Sequence, residues 1–303
     1  MMILAIGNIN IDLICSVPRL PKPDDKVIVS NYTRVPGGGA CNFAVGLARL
    51  GSTVSLFGHV GKDQEGRRAI DSLISENVDV SKVIHELEIP TGFVIILVDE
   101  QGESVKIGCR EANACLSPTE ITNELFEGIE LVHVSSVSVP IALQVAKKAK
   151  ELSIISSIDF GGELMGTKKE ILTKIINQYS IVFLNSLSFR QAFGMPPTPP
   201  NFQKINLEKD QILNVTLGNQ GSYIITPKKN YFIPSWKVDV VDTTGAGDAY
   251  AAGFIHYYST GIKDLEEIGH KAATCAAIQI TRSSARKGMP TKFEVEKFIE
   301  KGY

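Results

Sequence analysis

Short apolar runs alternate with stretches of helical spacing along most of the chain. Residues 2–6 are continuously apolar, the pattern of a strand buried on both faces. Residues 40–50 carry Phe43, Leu47 and Leu50 at helical spacing, and Gly51 follows as a C-cap. Residues 54–57 predict a strand and 66–75 a helix. From residue 131 the alternation becomes regular. Strands are predicted at 131–134, 154–158, 181–184 and 211–217, with helices at 140–152, 168–178 and 188–193. A hairpin at 223–225 and 231–233 follows, and the C-terminal third reads as mostly helical. Strand–helix alternation of this kind predicts an α/β fold with a doubly wound, mostly parallel sheet and helices on both faces.

Two segments break the alternation. A proline-rich connector at 18–23 leads to an apolar run at 27–29 and to Tyr32. Residues 93–98 and 103–107 flank Asp99-Glu100-Gln101-Gly102, a turn that predicts a hairpin. Together they predict a small β-sheet lid, formed by roughly 12–36 and 88–110, inserted in the α/β core of one unit spanning 1–303. Pro196-Pro197-Thr198-Pro199-Pro200 reads as an exposed surface loop, since alternation resumes after it. No internal repeat is present.

With 303 residues and 44% hydrophobic content, the chain can bury a large core. Its net charge of −2 gives no bulk attraction to nucleic acid or to an anionic membrane, and no apolar run is long enough to span one. The first apolar run lacks a basic flank and reads as a strand, not a signal peptide. The five cysteines are scattered and lack metal spacing, which suits reduced thiols of a cytoplasmic protein. The five histidines are dispersed and read as structural or surface residues. Trp236 reads as packing near the second hairpin.

Chemistry concentrates in a few motifs. Asp242-Thr243-Thr244-Gly245-Ala246-Gly247-Asp248 brackets a glycine loop with two acids, just before a small-residue helix. Backbone N–H groups and the helix dipole make such a start an anion site, suited to the charge of phosphoryl transfer. Asp248 at its mouth can take a proton from an attacking hydroxyl. Upstream, Gly37-Gly38-Gly39 precedes a helix that carries Asn42, which offers both donor and acceptor to a sugar hydroxyl. Asn10 and Asp12 fall just past the first strand, where open α/β sheets bind ligands. That hexapeptide taken alone reads as an Asx-rich turn.

These motifs, in this order over nearly the whole chain, resemble the PfkB family of ribokinase-like carbohydrate kinases. The family's first signature resembles residues 37–51, and its second resembles 242–253. Residues 112–118, 215–221 and 282–290 resemble further family segments. The resemblance implies Asp248 as general base and Gly245, Ala246 and Gly247 as the anion hole. It implies Asn10, Asp12, Gly38 and Asn42 at the acceptor, and Thr216 and Gly218 at the nucleotide. Asn185 would organise Mg²⁺ through water, no residue ligating it directly. A monovalent cation is implied near Asp242, and ATP or another nucleotide as donor.

The chain departs from the family pattern at several positions. Ser188 stands where the family carries Glu, Gly39 where ribokinases often carry Lys, and Ser135 near a missing ribose-side Glu. Gly288 replaces a serine of the closing stretch, which argues against the monovalent cation. Ala272-Ala273-Thr274 lacks an adenine-side Asn. Glycine at 39 leaves room for a nucleoside or a larger sugar. Lys106 and Arg110 read as solvated charges, or as holding a phosphorylated acceptor. Phe43 reads as core.

The resulting expectation is a small-molecule kinase for a sugar or nucleoside, acting under a lid that excludes water and pairing as a homodimer through that lid. The alternatives are a non-catalytic sugar or nucleotide sensor, or a sugar-phosphate kinase using ADP. A dehydrogenase lacks its Gly-x-Gly-x-x-Gly after the first strand.

Overall fold

In the computed structural model, which describes residues 1–302, strands β1 (Met2–Gly7), β2 (Asn10–Ser16) and β3 (Asn31–Gly37) lead into α1 (Gly39–Leu50). β4 (Thr53–Phe57), β5 (His59–Gly61), α2 (Gln64–Ser75) and β6 (Ile84–Glu86) follow, then the hairpin β7 (Gly92–Val98) and β8 (Ser104–Cys109). The regular alternation comprises β9 (Leu131–Ser135), α3 (Val139–Glu151), β10 (Ile155–Asp159), α4 (Lys169–Ile176), β11 (Ile181–Asn185) and α5 (Ser186–Phe193). A short α6 (Pro199–Phe202), β12 (Ile212–Thr216) and the hairpin β13 (Ser222–Ile225) and β14 (Asn230–Ile233) come next. Helices α7 (Ala246–Ser259), α8 (Leu265–Ile280) and α9 (Lys292–Glu300) follow.

The apolar runs pair into an eight-stranded sheet in the order β14-β13-β12-β11-β10-β9-β1-β4, parallel except at β13 and β14. Alternate residues of β1 explain why the run has no polar position. Ile3 and Ala5 join a core with α1, α7 and α8, while Leu4 and Ile6 join the opposite core with α3, α4 and α5. The smaller sheet has the order β3-β2-β7-β8. No helix among the described residues is long and apolar enough to cross a membrane.

The small sheet corrects two expectations. Asn10 and Asp12 belong to a strand, β2, and not to a turn. The run at 27–29 is not the partner strand; residues 31–37 are. Antiparallel pairing runs from Asn10↔Gly37 to Ser16↔Asn31, so 27–29 lies beyond the end of β2 and stays outside the ladder. The proline stretch at 196–200 is likewise not all loop. Prolines are tolerated in a first helical turn, and Thr198 starts α6, whose Phe202 is buried against Phe189 and Tyr223.

Helix α7 packs closely on two neighbours through glycines. A Cβ at Gly46 of α1 would lie 2.8 Å from the Ala252 Cβ, and one at Gly253 would lie 2.8 Å from the Cys275 Sγ of α8. Overpacking at such a contact forces a backbone shift. Gly253→Val is therefore expected to cost about 1–3 kcal/mol, read as a lower urea midpoint with an unchanged slope.

Candidate active site

Parallel strands end on one side of the sheet, and register decides which ends meet. Gly7, Ser135 and Asp159 lie side by side, and Asn185 on the next strand lies beside Thr216 on the one after it. Above the first group sits the start of α7. Its N-cap, Gly245, has φ 81°, a left-handed conformation that favours glycine, and a Cβ there would lie 2.9 Å from Ala285. Gly247 and Asp248 fall in the first turn, where backbone N–H groups have no intrahelical acceptor and the dipole is positive. Asp242 fastens the approach, accepting from the Thr244 N–H at 2.8 Å and the Ser284 N–H at 2.9 Å. Burial opposes its ionisation, but those hydrogen bonds outweigh burial and hold the carboxyl below its ordinary range.

Asp248 is half-buried and held from α1. The Asn42 side chain donates to its Oδ2 at 2.9 Å. A Cβ at Gly39 would lie 2.6 Å from the Ser135 Oγ and 3.5 Å from the Asp248 Oδ1. Glycine at 39 is thus a close approach and leaves no open room: the Ser135 hydroxyl, and the Ser136 Oγ at 3.2 Å, already fill the place of a side chain. Burial pushes Asp248 up to about 7, and the neighbouring Asp159 adds to this, while Asn42 and Lys106 act against it. Asp159 is itself pushed up to about 6 by burial. A carboxyl poised near neutrality beside an anion-favouring helix start can accept a proton from a hydroxyl brought against it.

The small sheet brings the other acceptor-side residues to this place. Asp12 lies against Gly37, and burial raises its carboxyl to about 6 against the charges of Lys106 and Arg286. Register puts Lys106 on the same sheet face as Asp12, since Asp12 is opposite Val94, Val94 opposite Gly108, and Gly108 two residues from Lys106. Asn10 is held by the buried Asn113, whose Nδ2 donates to its Oδ1 at 2.7 Å. Gly38, the N-cap of α1, lies against the carbonyl of Asn8. Arg110 is not a free charge: it pairs with Glu163 at 3.0 Å, and Glu163 also accepts from Asn8.

The remaining residues fall on the other half of the sheet edge. Asn185 and Ser188 engage each other at the start of α5, the Asn185 Oδ1 accepting from the Ser188 N–H and the Ser188 Oγ from the Asn185 N–H. Thr216 ends β12, and Gly218 opens the turn after it with φ 61°. Phe43 is core, stacked on the buried His133 at 3.7 Å. Trp236 packs against Phe298 of α9 and donates to Thr274 of α8, beyond the hairpin. No group of three His, Cys, Asp or Glu side chains among the described residues is placed to hold a metal ion.

The pfkB family carbohydrate kinase model matches residues 1–292. The chain belongs to that family. This kinase is 31% identical over 301 residues to the ATP-dependent ribose-1-phosphate kinase of Halopiger xanaduensis, covering 99% of each chain. It is 30% identical over 304 residues to the nucleoside kinase of Methanocaldococcus jannaschii, covering 99% of this chain and 97% of that one. The crystal structure of that nucleoside kinase matches with a TM-score of 0.84 at 27% identity, covering 99% and 98% of the two chains. The structure of Arabidopsis thaliana ribokinase complexed with ribose and ATP matches with a TM-score of 0.86 at 25% identity, covering 99% and 98%.

Several residues of the kinase's site carried no signal in the sequence. Asp159 and Glu163 lie in an unremarkable strand end and loop. Arg286 is buried and donates to the Gly37 carbonyl at 3.2 Å and to Ser72 at 3.0 Å. Its segment, 282–290, stood out by resemblance, but nothing in it marked Arg286 as the cation that reaches Gly37.

The raised Asp248 carboxyl makes a stability prediction. The folded state binds this proton more tightly than the unfolded chain, whose group titrates near 3.8. Ionised and buried, Asp248 therefore costs stability as pH rises from about 4 to about 7, and the full cost applies above that. Asp248→Asn is expected to raise the melting temperature at pH 8, with the gain shrinking towards pH 4. An equal or lower melting temperature at pH 8 would contradict the burial argument.

Proposed function

We propose that this kinase transfers the γ-phosphoryl group of ATP to a hydroxyl of a sugar or nucleoside. The observation that carries the reading is Asp248, held at Oδ2 by Asn42 in the first turn of α7, directly behind the glycine N-cap. Asn10, Asp12, Gly38 and Asn42 hold the acceptor. Its hydroxyl gives a proton to the Asp248 Oδ1 as its oxygen bonds to the γ-phosphorus. The bond from that phosphorus to the ADP oxygen breaks, and the N–H groups of Gly245, Ala246 and Gly247 receive the charge that develops. Thr216 and Gly218 bind the nucleotide. The small sheet, carrying Asp12, acts as the lid of a single unit and excludes water.

ATP is favoured as donor over ADP by the likeness to the ATP-dependent Halopiger kinase and to the Arabidopsis ribokinase complexed with ATP. Mg²⁺ enters as part of the MgATP substrate. The mutual engagement of Asn185 and Ser188, both neutral, supports no resident ion there. Membership of an enzyme family and the intact base and glycine loop favour catalysis over a sensor. A second reading, a phosphorylated acceptor, is favoured by Lys106, whose charge bears on Asp12, Asp242 and Asp248 together.

The face of the small sheet opposite Asp12 exposes Tyr32, Phe93, Val105 and Ile107. We propose that a second copy covers it, and sedimentation is expected to report about twice 32.9 kDa.

The test is a matrix of ATP, GTP and ADP against free sugars, sugar phosphates and nucleosides. Asp248→Asn is expected to slow turnover about 10²–10⁴-fold; near-full activity would refute the mechanism. Lys106→Met is expected to raise KM about tenfold for a phosphorylated acceptor and to leave KM for an uncharged one unchanged.

A further inference from the structure

One buried amide stitches the loop before α7 to the loop after α8. Gln279, in the last turn of α8, is fully buried. Its Nε2 donates to the Thr244 carbonyl at 2.9 Å and to the Ser284 carbonyl at 3.1 Å. The same two residues give their N–H groups to the Asp242 carboxylate. Two backbone carbonyls thus converge on one point, next to an anionic side chain. Carbonyl oxygens of that kind can replace the hydration shell of a monovalent cation.

Here a side chain occupies the point. Turning the amide over would set Oε1 against two carbonyl oxygens, so the hydrogen-bond pattern places the nitrogen there. Oε1 has no protein partner, which leaves Nε2 as the anchoring atom. Room for the amide comes from Gly288. A Cβ at 288 would lie 2.5 Å from the Gln279 Nε2 and 2.6 Å from both Cδ and Oε1. Any larger residue at 288 would displace the amide. The residues present therefore do not fit the monovalent cation that the family resemblance implied near Asp242.

We infer that the Gln279 amide stands in for a monovalent cation, so that the anion loop is held without K⁺ or Na⁺. Gln279 is a positioning residue. It fixes the Thr244 carbonyl, one residue before the Gly245 N-cap, and does not reach the reacting atoms. For turnover the inference rests on the proposed phosphoryl transfer at Asp248; for the loop's stability it stands alone.

The test exchanges KCl for choline chloride at constant ionic strength. Melting temperature, ATP binding by calorimetry and turnover are each measured. For the wild type all three are expected to be the same in both salts, within about twofold for affinity and rate. Gln279→Ala empties the point and is expected to melt higher in KCl than in choline chloride, with a turnover loss that KCl restores in part. Gly288→Ser displaces the amide and is expected to behave likewise. Wild-type protein that K⁺ stabilises or activates would overturn the inference. So would a Gln279→Ala protein unaffected by the exchange, whether it matches wild type or is impaired equally in both salts. If neither variant folds, the wild-type comparison decides. Absence of turnover with every acceptor would sink the proposed function alone, because melting and ATP binding still report on the cation.

Discussion

The packing of α7 between α1 and α8 determines where its first turn stands, and the site hangs on that placement. The helix is buried from Ala249 to Tyr257, so it has no solvent face about which to rotate. Close approach at Gly46 and Gly253 sets its distance from both neighbours. Asp248 is then carried to the sheet edge as a consequence of core packing, not of loop conformation. Sites built on packed elements hold their geometry better than sites built on loops. The glycine loop has only to deliver the chain into the helix, and Gly245 does so in a conformation that most residues resist.

That placement concentrates negative charge. Asp12, Asp159 and Asp248 are each pushed up by burial, and the charges of Asp159 and Asp12 push Asp248 up further. Such a cluster costs folding stability. Lys106 and Arg286 offset part of it from the small sheet and the C-terminal loop. Natural proteins retain costs of this kind where activity uses them. In the proposed reading, the same burial that destabilises an ionised Asp248 tunes it close to the pH at which a base must both lose and regain a proton.

The large sheet was readable because its parallel strands are mostly buried on both faces, and apolar runs such as those of β1 and β11 announce that locally. The glycine loop with its two acids was readable for the same reason: residues 242–248 carry their chemistry within one short segment. The small sheet was not. Asn10-Ile11-Asp12 has the composition of a turn, and only pairing with β3 and β7 makes it a strand. Strand propensity measures fit to a surface, and that surface comes from partners 82 positions away. Arg286, Asp159 and Gln279 share this property. Each is defined by a partner distant in sequence, so no local pattern marks them.

Three of the five departures from the family pattern show how the protein takes up the space that a smaller residue leaves. At 288 the missing side chain is filled by Gln279 from α8. At 188 the serine turns inward and caps its own helix with Asn185. Neither leaves space that a substrate could enter. At 39 the hydroxyls of Ser135 and Ser136 fill the place, 2.6 Å and 3.2 Å from where a Cβ would stand. All three sites are thus taken up within the protein, and none adds open volume next to the proposed base. A difference in acceptor choice between this kinase and the ribokinases that carry lysine there would arise at Gly39 from the missing charge, not from added space.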